Sequence, residues 1–175
     1  MDYYIKLISE FPIASAAIQF GILGTFGEFV SHKIKTGSFQ GFGNLIQVVL
    51  KILAWALLGI IIKYGFTGMK SFTSGLIEHN LLPQIFKEGL FYAFAVSAFT
   101  NILFGPQMMA FHRFTDNLIL KRKGFEGIQK SWFTLIWFWI PAHTVTFSLP
   151  KDYQIGLAAL WSVVLGIILG LSLKK

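Results

Sequence analysis

Residues 89–111 read GLFYAFAVSAFTNILFGPQMMAF, 23 consecutive residues without a charge. A helix needs about 20 apolar residues to cross the ~30 Å hydrocarbon core of a bilayer, so this run is long enough to span one. Four more runs surround it. Phe11 to Gly27 gives 17 uncharged residues, which Glu28 to Ser31 can extend. Phe42 to Ile62 gives 21, interrupted by Lys51, Ser131 to Pro150 gives 20, and Tyr153 to Leu173 gives 21. Only helices or closed barrels satisfy every backbone group in lipid, and these runs are too continuous for barrel strands of ~10 residues. The expected fold is all-α. It is a polytopic integral membrane helix bundle, one domain over 1–175, with spans near 11–31, 42–62, 89–111, 131–149 and 153–173.

Composition points the same way. Hydrophobic residues make up 54% and charged residues 13%, about half the ~25% charge of a soluble domain; mean hydropathy is +0.63. So few charges cannot cover a soluble surface, which excludes an ordinary cytosolic enzyme and a disordered chain. The absence of cysteine excludes a disulfide scaffold. The N-terminus, MDYYIKLISE, lacks a basic leader and carries Asp2 and Glu10, so it does not read as a cleaved signal peptide.

The net charge is +7, but the basic residues fall mostly between the apolar runs. That pattern suits loops facing an anionic leaflet and argues against nucleic acid as a partner. With five spans, Lys6, Lys63, Lys70, Lys87 and Lys151 share one side, five in all. Lys33, Lys35, Arg113, Lys121, Arg122, Lys123, Lys130, Lys174 and Lys175 share the other, nine in all. The excess predicts the C-terminus inside and the N-terminus outside. The longest link, 63–88, carries Phe72, Leu76, Ile77 and Leu81 at helical spacing. It reads either as an interfacial amphipathic helix ending before Pro83 or as a plain loop.

Helices associate in lipid through close backbone contact, which small residues permit. Ala14, Ala17, Gly21 and Gly24 lie three or four apart and lead to Glu28, and Ser162, Gly166 and Gly170 form a ladder at intervals of four. Both stripes are expected at helix contacts. Pro141 removes a backbone donor and frees a carbonyl in the preceding turn, which neighbours must satisfy.

Ionisable groups in the membrane are costly and usually face a bundle interior or cavity. Glu28, on the small-residue stripe with His32 a turn later, reads as lining an aqueous path or pairing with a base; the alternative is an interfacial carboxylate satisfied by Lys33 or Lys35. Glu28 and His32 have helical metal-ligand spacing, but two ligands do not make a metal site, and no metal or cofactor is expected. His143 either lines a pore or donates to a carbonyl freed by Pro141. Lys51 is expected to snorkel to the interface. Ser97, Thr100 and Asn101 either join helices or touch solute, and Arg113 and Asp116, three apart, suggest a local ion pair. The common hydrolase, zinc and phosphate-loop patterns are absent, and Asp116 and Asp152 fall in links, so no enzyme is expected.

Pro12-x-x-Ser15, Gly21-x-Leu23, Gly27-Glu28 and His32 form one series. Gly105-Pro106 with Phe111, His112 and Asp116 forms a second, and Ile140-Pro141, Thr146-Phe147, Pro150 and Tyr153-Gln154 a third. Together they resemble the signatures of the Mpv-seventeen / peroxisomal membrane protein family, over about half of the chain. The chain departs from that family in carrying Gln154 for an arginine and Thr146 for an asparagine, and its Gly-Pro stretch comes after a second apolar helix. The resemblance implies a small multi-helix protein of a prokaryotic cell membrane, or of an organellar inner membrane, that passes small solutes. The expected function is a channel or pore, working as a homo-oligomer in the bilayer, with Glu28, His143, Asn101, Asp116 and His32 along the path. Gly21, Gly24, Gly166, Gly170 and Pro141 are expected to set the packing. The rival readings are a non-transporting scaffold or lipid-binding bundle, and a solute-binding subunit of a larger transporter.

Overall fold

The computed structural model describes residues 2–125 and 128–172, and every regular element among them is helical. The order is α1 (Asp2–Glu10), α2 (Pro12–Thr36), α3 (Leu45–Glu78), α4 (Gly89–Leu120), α5 (Ile128–Thr134, Leu135–Trp139 and Ile140–Ser148 in continuous succession) and α6 (Lys151–Ser172). Lys174 and Lys175, counted above for orientation, lie outside the described residues.

Local chemistry sets the ends. Pro12 opens α2 at a position where its missing N–H costs nothing. Gly37, at φ 73°, closes it by donating its N–H to Lys33 O at 2.9 Å. Asn44 and Gln47 cap α3 reciprocally: each backbone N–H donates to the other's side-chain oxygen at 2.9 Å.

Four helices are long and apolar enough to cross a membrane: Pro12–Thr36, Leu45–Glu78, Gly89–Leu120 and Lys151–Leu171. They make the chain an all-α bundle compatible with a multi-pass membrane protein. The distribution of side chains agrees. Leu45, Ile46 and Leu53 are 80, 71 and 59% exposed, whereas Lys51 on the same helix is 5% exposed. This is the inverse of a water-soluble arrangement, and it fits a hydrocarbon surround.

Two of the expectations about the spans meet the structure differently. The fourth of the five expected spans is helical as α5, but it is not among the four that meet the length and hydropathy of a crossing helix. Its tryptophans, threonines and His143 dilute its apolar character. One face, with Phe138, Ala142, His143 and Thr146, is buried, while Phe133, Ile136 and Val145 face outward. The link 63–88 does not hold a separate interfacial helix. The second span runs on as α3 for 34 residues to Glu78, about 51 Å at 1.5 Å per residue. Nothing in 63–78 is a strong breaker, and Phe66, Thr73 and Ile77 continue the buried side of the same helix. The chain turns only at His79 and Asn80, the latter at φ 56°.

The small-residue stripes lie where helices touch most closely. α2 packs along α3 and α6 at once. A Cβ on Gly24 would overlap the Trp55 indole of α3, and one on Gly21 would meet Ile52 O at 3.2 Å. On the other side, a Cβ on Gly166 would stand 2.6 Å from Gly27 O, and one on Gly170 would stand 3.0 Å from Ile34 Cβ. Ala14, at the outer end of the first stripe, is exposed and takes no part.

α4 and α5 each contain one wide π turn, Thr100–Phe104 and Leu135–Trp139, and each turn ends just before a proline, Pro106 and Pro141. A proline ring clashes with the carbonyl four residues earlier, and the extra residue of a π turn moves that carbonyl aside. The two turns pack on each other, with Gly105 giving room: a Cβ there would lie 2.7 Å from Leu135 Cδ2. The Ile140 carbonyl, beside Pro141, accepts from Ser97 Oγ and Thr144 Oγ1, each at 2.7 Å. Ser97 therefore joins helices.

Gly24→Ala drives a methyl into a rigid indole. We expect it to destabilise the α2–α3 contact by about 1–3 kcal/mol, seen as a lower melting temperature in detergent, whereas Gly68→Ala, where a Cβ meets nothing, leaves it unchanged or raises it.

Candidate functional site

A cleft of about 490 Å³ opens between α2, α3, α4, α5 and α6. It lies toward the end where α2, α4 and α6 finish and α3 and α5 begin. Its floor is a charged cluster. Lys51 Nζ, from α3, donates to Glu28 Oε2, from α2. Trp55, one turn along α3, donates its indole N–H to Glu28 Oε1 at 2.7 Å. From α4, His112 Nε2 lies 3.6 Å from Glu28 Oε1 and 3.9 Å from Asp116 Oδ2. The His112 ring lies against Trp55, centroids 4.5 Å apart, and the Lys51 ammonium stands 4.9 Å from the Phe42 ring centre.

The pair is retained for a physical reason. An ammonium taken out of water needs a counter-charge and hydrogen bonds. Lys51 lies on the inward side of α3, and the missing side chain of Gly24 lets Trp55 reach the same carboxylate. Lys51 is therefore not a snorkelling residue, as expected from sequence, but a buried one. Glu28 takes its base from α3 rather than from Lys33 or Lys35. Asp116 is closest to His112, one turn back on α4, and not to Arg113.

A second, smaller cavity of about 80 Å³ adjoins the cleft. Trp55, Met109, His112, Trp139 and Ser162 line both. Asn101 and His143 lie in the walls of the inner one. Asn101 Nδ2 donates to Ser97 O at 2.8 Å and to His143 Nδ1 at 3.1 Å. With Nδ1 accepting, the imidazole carries its proton on Nε2. Phe66 and Trp139 pack around the ring. Two polar atoms beside this chamber, Thr100 Oγ1 and Trp139 Nε1, are buried without a hydrogen-bond partner among the described residues.

The five residues singled out for a solute path thus fall into two connected groups. Glu28, Asp116 and His32 line the cleft, and Asn101 and His143 line the inner chamber. His32 is held at the rim, its Nε2 2.9 Å from Gln40 O and its ring against Phe42. Sequence reasoning missed the partners Lys51 and Trp55 and undervalued His112. Their signal was present: one lysine inside an apolar run, with a tryptophan four residues later on the same helical face.

Glu28, His112 and Asp116 offer three ligand atoms within 4.8 Å of one another, enough in principle for a metal ion. Both Glu28 oxygens are already engaged by Lys51 and Trp55, so an ion would have to displace an ammonium; the group is better described as an ion-paired cluster. No family model, no curated protein and no solved structure matches the chain.

Lys51→Met leaves Glu28 without its ammonium in a low-dielectric floor. We expect a loss of about 3–5 kcal/mol in stability, with Glu28→Gln combined with Lys51→Met recovering most of it. A double-mutant cycle on unfolding in detergent measures this; additive losses would mean that the two groups are not coupled.

Proposed function

We propose that the chain is a membrane pore for small solutes and a divergent member of the Mpv-seventeen / peroxisomal membrane protein family, acting by passage rather than catalysis. The observation that carries the reading is the polar cleft meeting a narrower chamber inside a bundle whose outside is apolar. Two of the three stretches that resemble the family's signatures also meet there, Glu28 from the first and His112 and Asp116 from the second.

In this reading the cleft is a water-filled vestibule. Its charged and hydroxyl groups replace part of the hydration a solute loses on entry. The inner chamber is lined almost wholly by apolar atoms, with Asn101 and His143 bonded to each other in its wall, and stays dry while the pore is shut. Beyond it the way is shut. Phe66 stacks edge-on against Phe147 at 4.7 Å, and past them Lys70 Nζ donates to Gln154 Oε1 at 2.8 Å. Gln154 Nε2 in turn holds Leu149 O at 2.9 Å. An apolar constriction of this kind closes a pore by excluding water. Opening corresponds to parting α3 from α5 at Phe66 and Phe147.

Purified protein in liposomes is expected to release a small trapped sugar faster than protein-free vesicles do. Phe147→Ala, which removes the seal, raises the rate several-fold. Met109→Trp, which fills the junction of the two cavities, lowers it. If neither the native chain nor Phe147→Ala releases solute above the protein-free rate, the reading fails and a scaffold or lipid-binding role takes its place.

A further inference from the structure

The charges on the walls of the cleft do not balance. Four cationic side chains line it, Lys35, Lys51, Arg113 and Arg122, against two carboxylates, Glu28 and Asp116. Lys51 and Glu28 cancel, since the ammonium is bound to Oε2 and Trp55 takes Oε1. Asp116 has His112 beside it and lies in the field of Arg113, so it offsets one of the three remaining cations. Lys35, Arg113 and Arg122 make no side-chain hydrogen bond or ion pair with the described residues. Ser31 and Ser131 add hydroxyls to the same walls. A concave site with low-dielectric walls and excess charge of one sign raises the local concentration of the opposite ion. Guanidinium groups in particular suit carboxylate and phosphate oxygens.

We infer that the cleft admits small anions of the carboxylate or phosphate class in preference to cations, drawn in by Lys35, Arg113 and Arg122. The inference rests on the cleft being the entrance of the proposed pore and goes beyond it in naming the charge of the solute. A free anion is favoured over a lipid headgroup because the three cations border one concave cleft of about 490 Å³ together with Ser31 and Ser131, Lys35 and Arg122 exposed at its mouth and Arg113 half-buried.

Two measurements on the full chain test it. In a neutral detergent, iodide is expected to quench the cleft tryptophans at least about twofold more strongly than caesium, the difference fading as salt rises. The combined variant Lys35→Gln, Arg113→Gln, Arg122→Gln loses that difference, while Lys35→Arg, Arg113→Lys, Arg122→Lys keeps it. In phosphatidylcholine vesicles, reversal potentials across a potassium chloride gradient are expected to favour chloride, and the neutralised variant removes the preference.

Equal quenching by the two ions overturns the inference, as does a preference that survives neutralisation. Loss of the preference when phosphatidylglycerol is added assigns the three cations to lipid headgroups and also overturns it. A neutral sugar that passes while anions and cations do so equally leaves the pore and removes the selectivity. Iodide preference with no flux of any solute upholds the anion site and removes the pore.

Discussion

The ion pair between Glu28 and Lys51 is the constraint around which the rest of the bundle is arranged. Neither group can stand alone in an apolar interior, and each is carried by a helix whose neighbours are hydrocarbon-like. Keeping them together requires α2 and α3 to approach within side-chain reach, and that approach is set by glycine. Gly21 and Gly24 remove the side chains that would hold the helices apart, and Gly24 leaves the volume into which the Trp55 indole fits. Trp55 then completes the carboxylate's hydrogen bonding. A third helix, α4, adds His112 and Asp116 from across the cleft. Polar groups are gathered here because the outside of the bundle offers them no water.

The second organising feature is the pair of proline-ended wide turns in α4 and α5. Each would be a defect in an isolated helix. Packed against one another, with Gly105 under Leu135 and Ser97 bonded to the Ile140 carbonyl, they become a joint. The joint sits between the charged cleft and the Phe66–Phe147 ring contact. It also brings Asn101 to His143, which fixes the imidazole proton on Nε2. A small change in the angle between α4 and α5 at this joint would be felt at both ends of the inner chamber.

The apolar runs revealed the helical class and the four helices long and apolar enough to cross a membrane, because a lipid surround imposes length and composition directly on sequence. The small-residue stripes were legible for the same reason. The end of α3 was not. Lys63 and Lys70 look like the edge of a membrane helix, yet the buried side through Phe66, Thr73 and Ile77 keeps the same helix going. Glu28 could be picked out because a carboxylate beside small residues is rare. Its partner could not, since a lysine in an apolar run satisfies either of two rules, snorkelling or burial, and only the register between α2 and α3 decides. The cations bordering the cleft, Lys35, Arg113 and Arg122, read as loop charges until the fold brings the end of α2 beside α4 and the turn that follows it.

The chain contains no cysteine, which makes one measurement especially direct. Single substitutions Ser31→Cys, Ser131→Cys and Ser162→Cys in the cleft, and Leu53→Cys and Ile136→Cys on the outer face, can be challenged in sealed proteoliposomes with a membrane-impermeant thiol reagent applied from either side. A bundle bathed in lipid with a water-filled cleft predicts that the three cleft positions react from one side alone and the two outer positions from neither. Rapid labelling at Leu53 or Ile136, or cleft positions that never react, would contradict the account.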